Sequence, residues 1–290
     1  MEPFRYEAPT TVEAAIKLLA HGNGDARPLA GGTDLIVQMR TGRRQPSVVV
    51  DLKHIPDLAS VRFEGGALRL GAAVSCSEIR EHPEIQRAFP GLYEAVELIG
   101  SEQIQGRASV GWNLCNGSPA ADTVPPLVVL GAIARVVGPD GSREVPVESF
   151  VENPGQTALR SGELLIELLI PMPPERSADA YLRFIPRTEM DIAVVGAAAA
   201  VTLDTEGRCT AARIALGAVG PTILRVPEAE EAIVGSALGP KDLERAATLS
   251  SQAARPIDDL RGPAWYRRHV SGVLTRRVLA RAHERAARRD

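Results

Sequence analysis

Lysine is nearly missing from this chain: only Lys17, Lys53 and Lys241 occur among 33 cationic residues, so its positive charge is almost wholly arginine. That bias reads as genome composition more than as function. Aromatic residues are also scarce, at 4%. The three cysteines, Cys76, Cys115 and Cys209, are odd in number and widely spaced. They fit reduced thiols of a cytoplasmic protein better than a disulfide framework, and they are too few for an iron–sulfur cluster, which normally takes four ligands. No apolar run approaches the roughly 20 residues of a membrane helix. The start, Met1-Glu2-Pro3-Phe4-Arg5-Tyr6, has neither a basic region nor an apolar one, so no signal peptide is expected. A net charge of −3 argues against a dedicated nucleic-acid binder, which carries a basic field. No Gly-x-Gly-x-x-Gly fingerprint and no Walker loop occurs. His21, His54, His82, His269 and His283 never fall at metal-ligand spacing, and no Ser/His/Asp set stands out. Any reactive chemistry should therefore come from a cofactor.

What is present is a globular composition, with 44% hydrophobic and 24% charged residues over 290 positions, enough for two or three lobes. A first α/β lobe spans residues 1–56. Thr10 to Glu13 reads as a capping box opening a helix with apolar positions Val12, Ala15, Ile16 and Leu19, stopped by His21-Gly22-Asn23-Gly24. Val48 to Leu52 is β-branched and reads as a buried strand. A second α+β lobe covers 57–175. It has hairpin signals at Glu64-Gly65-Gly66 and Pro139-Asp140-Gly141, helical stretches at Ser77–Gln86 and Gly91–Ile99, and a strand from Leu164 to Ile170. The third lobe, 176–290, opens with an antiparallel pair, Ala193–Leu203 and Cys209–Ala218. Helices follow at Pro227–Val234, Pro240–Ala253 and Pro263–Ala287. Arginines crowd the end, from Arg267 and Arg268 through Arg276, Arg277, Arg281, Arg285, Arg288 and Arg289. They read as a solvated helix face or as a docking face for an acidic partner.

Two small-residue segments carry the chemical signal. Leu29-Ala30-Gly31-Gly32-Thr33-Asp34 lies between apolar runs, and so does the stretch from Ala108 to Asp122. Glycine lets backbone N–H groups approach an anion closely, and Thr33, Ser109 and Asn113 add side-chain donors. Taken singly, each segment is also a turn or irregular connection with Asp34 or Asp122 capping a helix. Together they suggest one anion held between them, such as a cofactor pyrophosphate.

Pro28 to Leu35 and Ala108 to Asn113 resemble the two FAD-pyrophosphate motifs of the molybdenum hydroxylase flavoproteins, the medium subunits of carbon monoxide dehydrogenase-like and xanthine dehydrogenase-like enzymes. Asn116 to Asp122, Arg187 to Ala193 and Asp258 to Arg267 match in the same order, so the resemblance spans the chain. It implies an α+β fold: a two-lobed FAD-binding domain of the vanillyl-alcohol-oxidase/PCMH type, plus a C-terminal lobe with an antiparallel sheet and a helical bundle. It implies that Leu29, Ala30, Gly31, Gly32, Thr33 and Asp34, with Ser109, Val110, Gly111 and Asn113, hold the pyrophosphate and ribose. Asp122, Leu165, Arg183 and Ile192 would lie around the isoalloxazine. The implied role is electron relay: a small partner subunit with two [2Fe–2S] clusters feeds the FAD, and a large molybdenum subunit oxidises substrate, in a dimer of heterotrimers. No catalytic residue and no metal ligand is assigned to this chain. Two positions depart from the family: Gly111-Trp112-Asn113 stands for Gly-Gly-Asn, and Gln105-Gly106-Arg107 for an Arg-Asn-containing run. A Trp112 indole that blocked the pyrophosphate would make this a flavin-free structural subunit. A self-sufficient flavin reductase of related fold is a third reading, though no nicotinamide fingerprint occurs.

Overall fold

The computed structural model describes residues 2–21 and 25–289, so the Gly22-Asn23-Gly24 stop signal lies outside the described residues. A small parallel sheet comes first, built from β1 (Arg5–Glu7), β2 (Ala26–Leu29) and β3 (Val48–Asp51) in the order β1-β3-β2. Helices α1 (Val12–His21) and α2 (Leu35–Arg40) connect these strands. The central strand β3 is buried along its whole length, as its β-branched run requires. The start of α1 corrects the capping-box expectation by one residue. Thr11, not Thr10, is the cap, its Oγ1 accepting from the Ala14 N–H at 3.2 Å. Ala15 and Leu19 of α1 share a core with Val48, Val50 and Leu52, and with Leu164 and Ile166 from a later strand.

The second region opens with the hairpin β4 (Val61–Glu64) and β5 (Ala67–Gly71). Six short helices follow: α3 (Cys76–Arg80), α4 (Pro83–Ala88), α5 (Pro90–Glu97), α6 (Glu102–Gln105), α7 (Val110–Cys115) and α8 (Val124–Val129). The single helix expected over Ser77–Gln86 is broken in two. Pro83 holds His82 in an extended conformation, as the residue before a proline prefers. The hairpin β6 (Ile133–Gly138) and β7 (Gly141–Pro146) turns at Pro139-Asp140, and a small ribbon, β8 (Val151–Asn153) and β9 (Gln156–Thr157), leads to β10 (Leu164–Pro171). The resulting antiparallel sheet has the order β4-β5-β10-β6-β7.

The third sheet is antiparallel, β11-β12-β13-β14, from β11 (Ser177–Phe184), β12 (Val195–Leu203), β13 (Cys209–Gly217) and β14 (Leu224–Arg225). Helices α9 (Pro227–Glu231), α10 (Pro240–Ala253) and α11 (Ala264–Ala287) complete it. The small side chains of Ala197 and Ala199 bury fully on one face of β12 and admit the long helix α11 against the sheet. The architecture is α+β, as the sequence led one to expect, but β1, β2, β8, β9, β11 and β14 were not anticipated.

The C-terminal arginines divide: Arg268, Arg276, Arg277 and Arg288 are exposed, as a solvated face requires, while others are tied into the fold. Arg267 is buried and donates to the carbonyls of Val194, Ile257 and Ala218. Arg281 and Arg285 pair with Glu94 of α5, and Arg289 donates to the Ala88 and Ser177 carbonyls. They stitch α11 to α5 and β11. No helix among the described residues is long and apolar enough to cross a membrane. No His, Cys, Asp and Glu cluster among those residues is placed to hold a metal ion.

Candidate cofactor site

The first small-residue segment is the turn from β2 into α2. The N–H groups of Gly31, Gly32, Thr33 and Asp34 find no acceptor among the described residues. Gly32 has φ of +77°, a conformation that a side chain would strain. Gly31 has another reason to lack a side chain: a Cβ there would lie 1.7 Å from the Arg107 carbonyl oxygen. The turn is thus pressed directly against the residues that lead into the second segment. Asp34 starts α2 without a capping bond from its side chain. Its Oδ1 accepts a 3.4 Å bond from Asn116 Nδ2, and burial pushes its carboxyl above the ordinary range.

The second segment corrects the expectation of a loop, because its middle is the helix α7. Ser109 caps it, its Oγ accepting from the Trp112 N–H at 3.3 Å. Gly111 is helical, and its missing Cβ makes room for Ala72, whose carbonyl oxygen would stand 2.6 Å away. Gly111 therefore serves packing behind the cleft. Asn113 Oδ1 accepts from the Thr123 N–H at 3.2 Å and from Thr123 Oγ1 at 2.7 Å. This fixes the amide with its Nδ2 donors unpaired among the described residues. The departure at 105–107 is structural too. Gln105 is buried, accepts from Arg80 and donates to the Glu97 and Ile99 carbonyls.

Between the segments lies a narrow nest of about 50 Å³, lined by Ala30 to Asp34 together with Ser109 and Asn113. A wider groove of about 470 Å³ adjoins it, with Pro28, Asp34, Leu35 and Trp112 common to both. Trp112 is half-buried and packs on both neighbouring cores. Leu164 and Leu165 line the groove, and Arg27, Arg43 and Arg44 stand around it. These three guanidinium groups have no hydrogen bond or ion pair among the described residues. Burial and the like charge of Arg44 lower the Arg27 pKa, against Asp25. Sequence reasoning missed all three. The one available signal was their position on either side of the glycine turn and α2, two residues before Leu29 and three and four after Arg40.

Asp122, expected as a ligand or a helix cap, does not cap α8, whose N-cap is Thr123, and sits in a buried ion pair. Its Oδ1 accepts from the Tyr181 hydroxyl at 2.7 Å, and its Oδ2 pairs with Arg183 at 2.6 Å. Burial raises its carboxyl, against the pull of Arg183 and Tyr181. Arg183 Nε is buried without an acceptor. Ile192 lies elsewhere, 49% exposed, in a cavity of about 440 Å³ that shares no lining residue with the groove at Leu165. Leu29, Val110 and Gly111 line neither the nest nor the groove. So the structure gathers Ala30 to Asp34, Ser109 and Asn113 at one nest and Leu165 at the adjoining groove. It sets Asp122 with Arg183 as a buried pair and Ile192 apart.

A diphosphate needs several N–H donors in a concave site, and its nucleoside arms need adjoining apolar surface. Four open N–H groups beside a groove walled by leucines and a tryptophan meet that requirement. The family model for the FAD binding domain in molybdopterin dehydrogenase matches residues 2–173, and that for the CO dehydrogenase flavoprotein C-terminal domain matches 180–282. The carbon monoxide dehydrogenase medium chain of Afipia carboxidovorans is 36% identical over 98% of this chain and 98% of its own. A putative xanthine dehydrogenase FAD-binding subunit of Escherichia coli is 32% identical over 96% of this chain and 95% of its own. A crystal structure of the Cu,Mo-CO dehydrogenase contains a chain that superposes with a TM-score of 0.94 at 36% identity, covering 98% of this chain and all of the other.

Proposed function

This chain belongs to the FAD-binding medium-subunit family of the molybdenum hydroxylases, and from that premise we propose that it relays electrons within such an oxidoreductase complex. Its electrons come from [2Fe–2S] clusters on a small partner subunit, and it passes them to an acceptor outside the complex. Substrate oxidation belongs to a large molybdenum subunit, and the assembly is a dimer of heterotrimers. The observation that carries this reading is the row of four unpaired N–H groups from Gly31 to Asp34, sharing one nest with Ser109 and Asn113.

FAD, when bound, would supply the redox chemistry. The residues of this chain bind and orient it. The N–H groups of residues 31–34, the Thr33 and Ser109 hydroxyls and the Asn113 amide donate to the pyrophosphate and ribose. Leu29, Val110 and Gly111 hold that backbone from behind, and Leu165 offers apolar contact in the groove. The resemblance assigns Asp122 and Arg183 to the ring region; they are locked together and to Tyr181 as a buried charge pair, with Arg183 Nε left without an acceptor. The resemblance assigns Ile192 to the ring region as well, although it stands in the segment between β11 and β12, in a cavity separate from the groove at Leu165. No residue of this chain is assigned as a general base.

A second reading, a flavin-free structural subunit, draws on Trp112, because the nest it lines is only about 50 Å³. The experiment that separates the two is the flavin content of the purified chain. A yellow protein with FAD bound stoichiometrically supports the relay. A colourless chain that stays without flavin after incubation with FAD overturns it.

A further inference from the structure

We propose that Lys53 is a positioning residue for the pyrophosphate nest: held on the buried carboxylate of Asp51, its ammonium grips the Ala30 carbonyl and so sets the direction of the Gly31 N–H. This rests on the flavin reading and adds to it a residue outside the two glycine segments.

The geometry runs from the buried end of β3 to the turn. Asp51 has a side chain only 3% exposed. Its Oδ1 accepts from the Lys53 backbone N–H at 3.0 Å and from Lys53 Nζ at 2.6 Å, and its Oδ2 accepts from the Tyr6 hydroxyl. Burial pushes this carboxyl up, but the bonds from Lys53 and Tyr6 outweigh burial and hold it below the ordinary range. It is therefore a fixed anion, and it anchors the lysine. Lys53 Nζ in turn donates to the Ala30 carbonyl at 3.1 Å, while the Leu52 N–H donates to the Leu29 carbonyl at 2.9 Å. Two successive carbonyls at the mouth of the turn are thus pinned from β3 and the residues just after it.

Pinning matters because the trans peptide is planar, with its C=O and N–H pointing to opposite sides. Fixing the Ala30 oxygen therefore fixes the direction of the Gly31 N–H. Gly31 and Gly32 have no Cβ to restrict them, so that peptide could otherwise flip at little cost. An anion site whose donors are already aligned binds more tightly than one that must order them. The residue type fits the task. A long cationic side chain with several donors bridges a carboxylate and a carbonyl at once. In a chain with three lysines among 33 cationic residues, one of the three stands here.

The test measures dissociation constants of FAD and of inorganic pyrophosphate for the flavin-stripped full chain, with thermal midpoints of the same samples. Lys53→Met is expected to weaken both ligands by about tenfold to a hundredfold, the range for losing a charge-assisted contact at a binding site. Because Lys53→Met leaves Asp51 buried with one partner fewer, the double variant Asp51→Asn/Lys53→Met removes that charge as well. It is expected to keep the parent's midpoint within a few degrees and still bind weakly. Lys53→Arg, which keeps the charge, is expected to recover most of the affinity and the visible circular dichroism of the bound flavin. Parent-like constants for both ligands in Lys53→Met overturn the proposal, as does a Lys53→Arg variant as weak as Lys53→Met. A parent that binds pyrophosphate but not FAD overturns the flavin reading, and Lys53 is then judged on pyrophosphate alone. A parent that binds neither overturns both.

Discussion

A methyl group at position 31 would sit 1.7 Å from the Arg107 carbonyl oxygen, a backbone atom that cannot swing away. Gly31→Ala is therefore expected to destabilise the chain by about 3 kcal/mol or more, because turn and segment must part to admit it. Gly65→Ala is the control: it has φ of +62° but no neighbour within 4 Å. It should cost only about 1 kcal/mol of backbone strain. Denaturant midpoints of the two variants check the difference, and a loss at Gly31 no larger than that at Gly65 would mean that the turn yields to the Arg107 carbonyl without cost. Trp112 makes the same kind of argument about the cofactor. Its indole packs on two cores, so Trp112→Gly should lose about 2 kcal/mol of stability. It should not tighten FAD binding. A variant that gained affinity would identify the indole as an obstruction and favour the flavin-free reading.

At the scale of elements, helix α5 starts at Phe89 with no side-chain cap of its own. Asp179, on β11 of another sheet, supplies one, its Oδ2 accepting from the Leu92 N–H at 3.2 Å. Asp179 is buried, and burial pushes its carboxyl up to about 6 from an ordinary 3.8, against the backbone N–H of Gly91 and the charge of Arg289. Between those two values the folded state holds the extra proton, so stability falls as pH rises through that window, by about 3 kcal/mol in all. Asp179→Asn keeps an acceptor for the Leu92 N–H without the charge. It is expected to flatten that slope and to be at least as stable as the parent at neutral pH, as unfolding curves across the window would show. This device was invisible in the sequence, and the reason is general. The hairpins at Gly65-Gly66 and Asp140-Gly141, the strand Val48 to Asp51 and the long helices were legible because turn residues, β-branching and helical spacing act locally. Ser177 to Phe184 was not read as a strand, because its buried Ser177 and Asp179 break any apolar alternation. They are tolerated only through partners on other elements. In the same way Gly111 to Cys115 has little helical propensity and depends on the Ser109 cap and on packing over Ala72. The glycine turn was legible as a small-residue segment paired with a second one. Lys53, Arg27, Arg43 and Arg44 were not, since only the parallel pairing of β1, β2 and β3 brings them to it.

The whole molecule places its candidate site between the first sheet and the second, with the third sheet tied across by the Asp122–Arg183 pair and by Arg281 and Arg285 on Glu94. A ligand that spans the first two must stabilise them jointly. At a free FAD concentration about a hundred times its dissociation constant, the gain should be about 2.7 kcal/mol. Calorimetry should show it as an upward shift of the unfolding transition that grows with ligand concentration. An unfolding temperature indifferent to FAD would contradict the site. The scarcity of aromatic residues has a last consequence here. The chain has two tryptophans, Trp112 in the cleft wall and Trp265 at the exposed start of α11. Replacing Trp265 with phenylalanine would leave a protein whose indole emission comes from the cleft alone. Quenching of that emission would then report the arrival of flavin directly, with no added label and no turnover.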